Sequence, residues 1–194
     1  MATDREAVPS RAAGLGRPLA GAVLLGVGLG GFVDGIVLHQ LLQWHHLLTS
    51  AGYPATTLGN PELNTVADGV FHAATVMPHV AGIALLWGAA RRRHARWPAT
   101  LLWGGAFAGW GGFNLVEGLV DHQLLGLHHV NETAPPAQWL WWDLGFLVWG
   151  AVLLAAGRRL VQSGRREIVS AGGPERRGPA APPPTRRRPG PPSR

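Results

Sequence analysis

The sequence contains no cysteine and no lysine. Without cysteine the chain cannot form disulfides, bind a metal through thiolates or use a thiol nucleophile. There is also no disulfide pattern from which an oxidising or reducing compartment could be inferred. Methionine is also scarce, since Met77 is the only one besides Met1, and this disfavours a site for soft Cu(I). Because lysine is absent, all 17 basic residues are arginines, and their positions along the chain are informative.

The arginines occur in groups separated by long apolar segments, with none in residues 18–90 or 97–157. This distribution is typical of a membrane protein and unlike a basic surface that follows nucleic-acid phosphates, so nucleic acid is not an expected partner. A helix needs about 20 predominantly apolar residues to cross a bilayer. Four segments meet that requirement, at roughly 19–40, 66–90, 98–121 and 138–157.

The arginine groups also predict the orientation in the bilayer. Arginine is enriched at the cytoplasmic ends of spans, and here it occurs in the N-terminal segment, the loop after the second span and the C-terminal tail. We therefore predict that both termini are cytoplasmic. The predicted organisation is a cytoplasmic segment at 1–17, a four-span membrane domain at 18–160 and a disordered basic Pro/Arg-rich tail at 161–194.

A histidine-containing motif occurs twice, as DGIVLHQLLQWHH (34–46) and EGLVDHQLLGLHH (117–129), with eight of 13 positions identical. Each copy lies at the predicted outer end of an odd-numbered span and is followed by a second span. The chain is therefore predicted to be an all-α transmembrane bundle of four helices, made of two duplicated two-helix hairpins. Such hairpins would be related by a pseudo-two-fold axis along the membrane normal, with the first and third spans adjacent.

The repeated histidines and nearby carboxylates predict a metal site near the outer face. Imidazole and carboxylate ligands suit divalent Zn, Fe or Cu, and ionisable groups at membrane depth usually converge on partners. The candidate ligands are His39, His45, His46, His72, His122, His128 and His129. Four carboxylates could ligate directly or orient the imidazoles, namely Asp34, Asp68, Glu117 and Asp121. His79 lies deeper and is a candidate relay residue.

Three other interpretations are compatible with the sequence. Haem could be ligated axially by His39 and His122, and ions or protons could move along a stripe formed by Asp68, His72 and His79. The histidines could also form a purely structural polar network between helices. No sequence motif identifies a reaction. If the two motif copies did not meet within one chain, separate sites or a homo-oligomer would have to be considered.

Three stretches resemble a known family: GFVDGIVLHQLLQWHH, DGVFH at 68–72 and GGFNLVEGLVDHQLLGLHH. They resemble the bacterial membrane proteins catalogued as domain of unknown function 2243, over about residues 20–157. The resemblance implies a four-span protein of the bacterial inner membrane, with the lipid bilayer as its partner. It brings no established activity, and it implies a link to respiratory oxidase assembly, and so to copper or haem handling.

Overall fold

The computed structural model of this chain describes residues 14–91 and 97–171. Within those ranges the fold is all-helical and contains no strand. The four long helices are α1 (Gly16–Phe32), α2 (Asn60–Ala90), α3 (Ala99–Glu117) and α4 (Trp139–Ala171). Two of them continue as π-helix, α1 into the first π segment, Val33–Leu41, and α3 into the second, Gly118–Leu124. A short 3-10 turn, Pro136–Gln138, precedes α4.

Three helical stretches are long and apolar enough to cross a membrane, Gly16–Leu41, Asn60–Ala90 and Pro136–Ala171. The stretch that contains α3, predicted as the third span, is not among them, because glycine, tryptophan and Asn114 reduce its mean hydropathy. Helices suit this setting because all their backbone polar groups are paired internally. Many large apolar side chains of α2 and α4 are exposed, including Val66, Val80, Ile83, Trp141, Val148 and Val152.

The two helices that carry the motif copies lie at the centre of the molecule. α1 packs against both α2 and α3, and α3 packs against both α1 and α4. α2 and α4 therefore flank a central α1–α3 pair. The predicted adjacency of the first and third spans is confirmed, and the motif copies meet within one chain.

Glycines allow α1 and α3 to approach closely. At Gly26 the carbonyl group of Ala106 occupies the place that a Cβ atom would take, and at Gly109 the carbonyl group of Val23 does the same. The two contacts are reciprocal, because positions 26 and 109, like positions 23 and 106, are 83 residues apart, the same offset as the motif copies. Close backbone approach through small residues is the usual way for helices to associate in lipid.

α4 continues to Ala171, beyond residue 160, where the membrane domain is predicted to end. Residues 161–171, which belong to the predicted basic tail, are helical. The extension packs on the start of α3, where Gly164 lies against Leu101 and the hydroxyl of Thr100 donates a hydrogen bond to Glu167 (2.8 Å). The rest of that predicted tail, 172–194, lies outside the described residues, as do most of the N-terminal segment and the loop that contains His94.

α2 begins at Asn60, earlier than the predicted start of the second span at 66. Gly59, with a positive φ of 86°, precedes the helix, Pro61 lies in its first turn and Glu62 is an acidic residue in that turn. Proline and acidic residues favour a helix N-terminus. The helix therefore begins with a polar turn, before the apolar segment from which the second span is predicted.

Candidate metal centre

The π-helical segments determine how the motif side chains are presented. In the first, the Leu42 N–H donates to the carbonyl of Val37 (2.8 Å), and in the second the Leu125 N–H donates to that of Val120 (2.7 Å). A π turn contains more residues than an α turn, so side chains no longer follow the α-helical spacing. On a regular α-helix His39 and His46, seven residues apart, would share one face. In the structure the ring of His39 lies closer to that of His45, with centroids 4.5 Å apart, than to that of His46, at 6.4 Å.

Four buried imidazoles form the centre of the site, and we call them the histidine core: His39, His45, His122 and His128. The rings of His45 and His128 are stacked in parallel, with centroids 4.4 Å apart and planes 4° apart. His39 packs edge-on against His45, and His122 packs edge-on against His128 at 4.7 Å. Each motif copy contributes two of these rings, so the core contains both copies equally.

In the first half of the molecule the core histidines contact two buried carboxylates. His39 Nε2 lies 3.0 Å from Asp34 Oδ2, and His45 Nε2 lies 3.8 Å from Asp34 Oδ1. On the other side of its ring, His39 Nδ1 lies 2.9 Å from Asp68 Oδ1. Asp68, on α2, also accepts hydrogen bonds from His46 Nδ1 (2.7 Å) and from the Leu47 N–H (2.9 Å).

The second half repeats these contacts with equivalent residues. Glu117 Oε1 lies 2.9 Å from His122 Nε2 and 3.1 Å from His128 Nε2. Asp143 Oδ1, on α4, lies 3.7 Å from His122 Nδ1, and Asp143 Oδ2 accepts a hydrogen bond from His129 Nδ1 (2.7 Å). We call Asp34 and Glu117 the central carboxylates. Asp68 and Asp143, on the flanking helices, are the flanking carboxylates.

The two halves are joined by reciprocal hydrogen bonds. His45 Nδ1 donates to the carbonyl of Val130 (2.8 Å), and His128 Nδ1 donates to the carbonyl of Leu47 (3.3 Å). A carbonyl can only accept, so Nδ1 of both rings must carry the proton. The Nε2 atom of each ring is then left with a lone pair that points towards a central carboxylate when the ring is neutral.

Neutral imidazoles cannot satisfy this arrangement by hydrogen bonding alone. In all four core rings Nδ1 lies near a flanking carboxylate or a backbone carbonyl, and Nε2 lies near a central carboxylate. A neutral imidazole has a single N–H and can donate to only one of them. Consistently, His39 Nε2 and Asp34 Oδ2 are 3.0 Å apart but do not form a hydrogen bond, and His122 Nε2 has no hydrogen-bond partner. A cation between the Nε2 atoms and the central carboxylates would satisfy both.

Burial keeps one core histidine neutral. Desolvation, and to a lesser degree the proximity of His128, lower the pKa of His45 well below its usual value of 6.5. A neutral imidazole whose Nδ1–H is held by a carbonyl offers its Nε2 lone pair to a metal, and such hydrogen bonds orient histidine ligands in known metal sites. His45 is therefore in the state that metal ligation requires.

Two sets of three buried side chains have ligand atoms within 4.8 Å of one another, as a metal ion requires. One comprises His39, His45 and His128, and the other comprises Glu117, His122 and His128. Five of the predicted site residues are thus brought together. Asp34, also a predicted site residue, borders the first set, and both of its carboxylate oxygens lack hydrogen-bond partners.

The other predicted residues lie around or away from this centre. The side chains of His46 and His129 are 22% and 27% exposed and bind the flanking carboxylates from the edge. His72 packs against Gly35, with Nδ1 at 3.5 Å from Gln40 Nε2. Neither His72 nor Asp121 belongs to the two sets of potential ligands.

His79 is separate from the histidine core. Its ring packs against Phe32, with centroids 5.1 Å apart, and its Nδ1 is buried without a hydrogen-bond partner. Within the described residues, no recorded hydrogen bond joins it to the histidine core. The role predicted for His79 as a relay thus has no hydrogen-bonded connection to the site.

Asp143 was not among the predicted site residues, although it occupies the place that Asp68 has in the other half. Besides His129 it binds the Val130 N–H (3.0 Å) and Gln123 Nε2 (3.2 Å). A sequence signal was present, because Asp143 precedes Phe146 by three residues as Asp68 precedes Phe71. These phenylalanines pack on the equivalent rings His122 and His39, at 5.4 and 5.5 Å.

A cavity of about 640 Å³ adjoins one side of the centre. Among the described residues Asp34 is the only acidic one that lines it, and its walls are mainly apolar and rich in tryptophan, including Trp44, Trp110, Trp141 and Trp149. The cavity extends along α1, α3 and α4. It thus brings an apolar space into contact with a central carboxylate.

The chain belongs to the family of predicted membrane proteins designated DUF2243, whose family model matches residues 21–164. The match includes both motif copies and all residues of the histidine core, and it confirms the resemblance found in the sequence. No curated protein and no solved structure matches the chain. The family assignment and the apolar helices together support an integral membrane protein.

Proposed function

We propose that this family member is an integral membrane protein that binds a divalent transition metal in the histidine core. The proposal rests on an excess of hydrogen-bond acceptors over donors in the histidine core. The ring nitrogens lie beside more carboxylate oxygens than neutral imidazoles, with one N–H each, can bind by hydrogen bonds. Protonating the stacked rings of His45 and His128 as well would place two cations 4.4 Å apart, at a considerable Coulombic cost in a buried site.

The ligand types favour zinc, iron or copper in the divalent state. The available donors are imidazole nitrogens and carboxylate oxygens, which suit Zn(II), Fe(II) and Cu(II). The flanking carboxylates are occupied by hydrogen bonds from histidines and backbone N–H groups, so they are suited to orienting the ligands. The central carboxylates and the Nε2 atoms are the groups that would hold the metal.

Elemental analysis tests the proposal. We expect the full-length protein, purified under gentle extraction, to contain Zn, Fe or Cu, and the double variant His39→Ala/His122→Ala to have lost it. His94→Ala is the control, since this histidine belongs to the Arg-rich loop between the second and third spans, and it should retain the metal. A metal-free wild type whose thermal stability does not respond to added Zn²⁺, Fe²⁺ or Cu²⁺ would rule the proposal out.

The packing of the rings does not favour haem. Axial ligation by His39 and His122 requires a porphyrin between the two imidazoles. His45 and His128 instead pack against these rings, and the Nε2 atoms of His39 and His122 face carboxylates at 3.0 and 2.9 Å. A visible spectrum of the protein that shows a haem Soret band would contradict this argument.

The proposal includes the duplicated hairpins and the orientation in the bacterial inner membrane. The reciprocal contacts of the two halves support the duplication, and the arginine distribution supports cytoplasmic termini. Because the chain has no cysteine, any labelling by a thiol reagent can be assigned to the one cysteine that is introduced. We expect Thr57→Cys to be labelled by an impermeant thiol reagent on intact cells and Ser170→Cys to be protected. The reverse pattern would invert the orientation.

A further inference from the structure

We propose that the histidine core holds two divalent cations, one in each half of the molecule. This inference rests on the proposed metal-binding function and specifies its stoichiometry. One ion would be bound by Asp34, His39 and His45, and the other by Glu117, His122 and His128. The two ions would share the pseudo-symmetry that relates the two motif copies.

The positions of the ligand atoms support one ion in each half. Ligands bound at about 2.0–2.2 Å in a tetrahedral arrangement lie roughly 3.3 Å apart. In the second half the distances from Glu117 Oε1 to the Nε2 atoms of His122 and His128 are 2.9 and 3.1 Å. In the first half Asp34 Oδ2 lies 3.0 Å from His39 Nε2, and the other oxygen, Asp34 Oδ1, lies 3.8 Å from His45 Nε2. The second half therefore presents one oxygen and two nitrogens at distances that suit a shared metal ion. In the first half Asp34 would reach the ion of His39 and His45 through one or both of its oxygens.

Three of the four proposed ligand rings are also held from the far side by a hydrogen bond. His39 Nδ1 donates to Asp68, and Nδ1 of His45 and of His128 donates to a carbonyl of the opposite half, whereas His122 Nδ1 faces Asp143 at 3.7 Å without a hydrogen bond. Hydrogen bonds of this kind orient metal-bound histidines and select the tautomer with a free Nε2. Apart from the contact of His122, the arrangement is present twice, so an argument for one ion applies to the second.

The charges of the buried carboxylates also support two metal ions, one in each half. The two central and two flanking carboxylates are all buried, and every recorded ion pair of theirs is with a histidine. If the core imidazoles are neutral, as metal ligation requires, the central carboxylate of each half has no cation beside it, because among the described residues Asp34 pairs with His39 and His45, and Glu117 pairs with His122 and His128. One divalent cation in each half would compensate this buried charge.

A single ion shared between the halves is the competing arrangement. The atoms of His39, His45 and His128 also lie within 4.8 Å of one another, so one ion could bind across the pseudo-two-fold axis. That ion would leave Glu117 and His122 without a cation between them. Two ions satisfy both halves, and each ion, with three protein ligands, keeps coordination positions open for an exogenous oxygen ligand.

The test is a Co²⁺ titration of the full-length, metal-stripped protein in detergent, followed by the d–d absorption of the bound ion. We expect an end point of two Co²⁺ per chain. The first-half variant Asp34→Asn/His39→Ala and the second-half variant Glu117→Gln/His122→Ala should each have an end point of one. His94→Ala is the matched control and should bind two.

The outcomes separate this inference from the function on which it rests. An end point of one in the wild type, lost in either half variant, would overturn the two-ion arrangement and leave metal binding intact. An end point of zero in the wild type would overturn the proposed function itself. Two Co²⁺ bound by both half variants would place the ions elsewhere and also overturn the inference. The wild-type end point decides the question even if a half variant fails to fold.

Discussion

The first and second halves of the molecule agree at the residues that face the histidine core and differ around it. Each half supplies one central carboxylate and one flanking carboxylate, which bind its histidines in the same pattern. Asp121 and His72, in contrast, have Leu38 and Leu147 at the corresponding positions of the other half, and neither belongs to the sets of potential ligands. The polar residues that the halves share therefore form the site, whereas the unshared ones lie outside the sets of potential ligands.

The flanking helices differ as well. α4 lines the cavity next to Asp34 with Trp141, Trp142 and Trp149. At the equivalent positions, α2 has the smaller residues Val66, Ala67 and Ala74. The core of the site is thus repeated, while an aromatic cavity borders the central carboxylate of the first half.

The largest effect is expected from separating the two halves. In Gly109→Val the new side chain would meet the carbonyl of Val23, so α1 and α3 would have to move apart. We expect an unfolding free energy lower by about 3 kcal/mol, the upper range for overpacking, together with loss of metal from both halves. Thermal denaturation and elemental analysis measure the two effects. Gly112→Val is the matched control, because no atom lies within 4 Å of a Cβ at that position. Equal behaviour of the two variants would disprove the close contact.

Acid should remove the metal without separating the halves. Ligating imidazoles must be neutral, so protonation competes with metal. Because burial lowers the pKa of His45 below its usual value, this ligand resists protonation, and metal should be retained somewhat below pH ~6.5, where an exposed histidine site would lose it. Dialysis at stepwise lower pH followed by elemental analysis measures retention. Complete loss of metal above pH ~6.5 would contradict a site that depends on His45.

A smaller and equal effect is expected from the two flanking carboxylates. Asp68→Asn and Asp143→Asn keep the size of the side chain and remove its charge, which weakens the hydrogen bond of Asp68 with His39 and the 3.7 Å ion pair of Asp143 with His122. Residues that orient metal ligands typically change affinity by ~10–100-fold, and we expect a loss in this range from both variants. Competition with a chromophoric chelator gives the affinities. A loss in only one variant would show that the halves are not functionally equivalent.

The smallest effect is expected where the halves differ. His72→Leu gives the first half the residue type of the second, at a position outside the potential ligand sets. Metal content should stay within experimental error of wild type, as measured by elemental analysis. His39→Leu, which removes a core ligand, is the contrasting variant. If His72→Leu lowered the metal content as much as His39→Leu, the site would have to include His72.

Much of this arrangement could be predicted because it depends on patterns that hold along the chain. Apolar length indicated the helices, and the repeated motif indicated that α1 and α3 meet. The choice among the adjacent histidines could not be predicted, because the π-helical segments change which side chains converge. His45 therefore lies in the core, and His46 at its edge.

Tertiary contacts account for two further differences from prediction. α4 continues past residue 160, where Gly164 packs on Leu101, a contact that composition does not indicate. Asp143 was missed because only the spacing to Phe146 links it to Asp68, and its place beside His129 is determined by the packing of α4 on α3.

The most direct test of the central claim is an anomalous difference map from crystals of the metal-loaded protein, recorded at the absorption edge of the bound metal. The account predicts density between the central carboxylates and the histidine core, within about 2.0–2.2 Å of the Nε2 atoms of His39, His45, His122 and His128. Metal density at His72, at His79 or only on the surface, with these Nε2 atoms unligated, would contradict it.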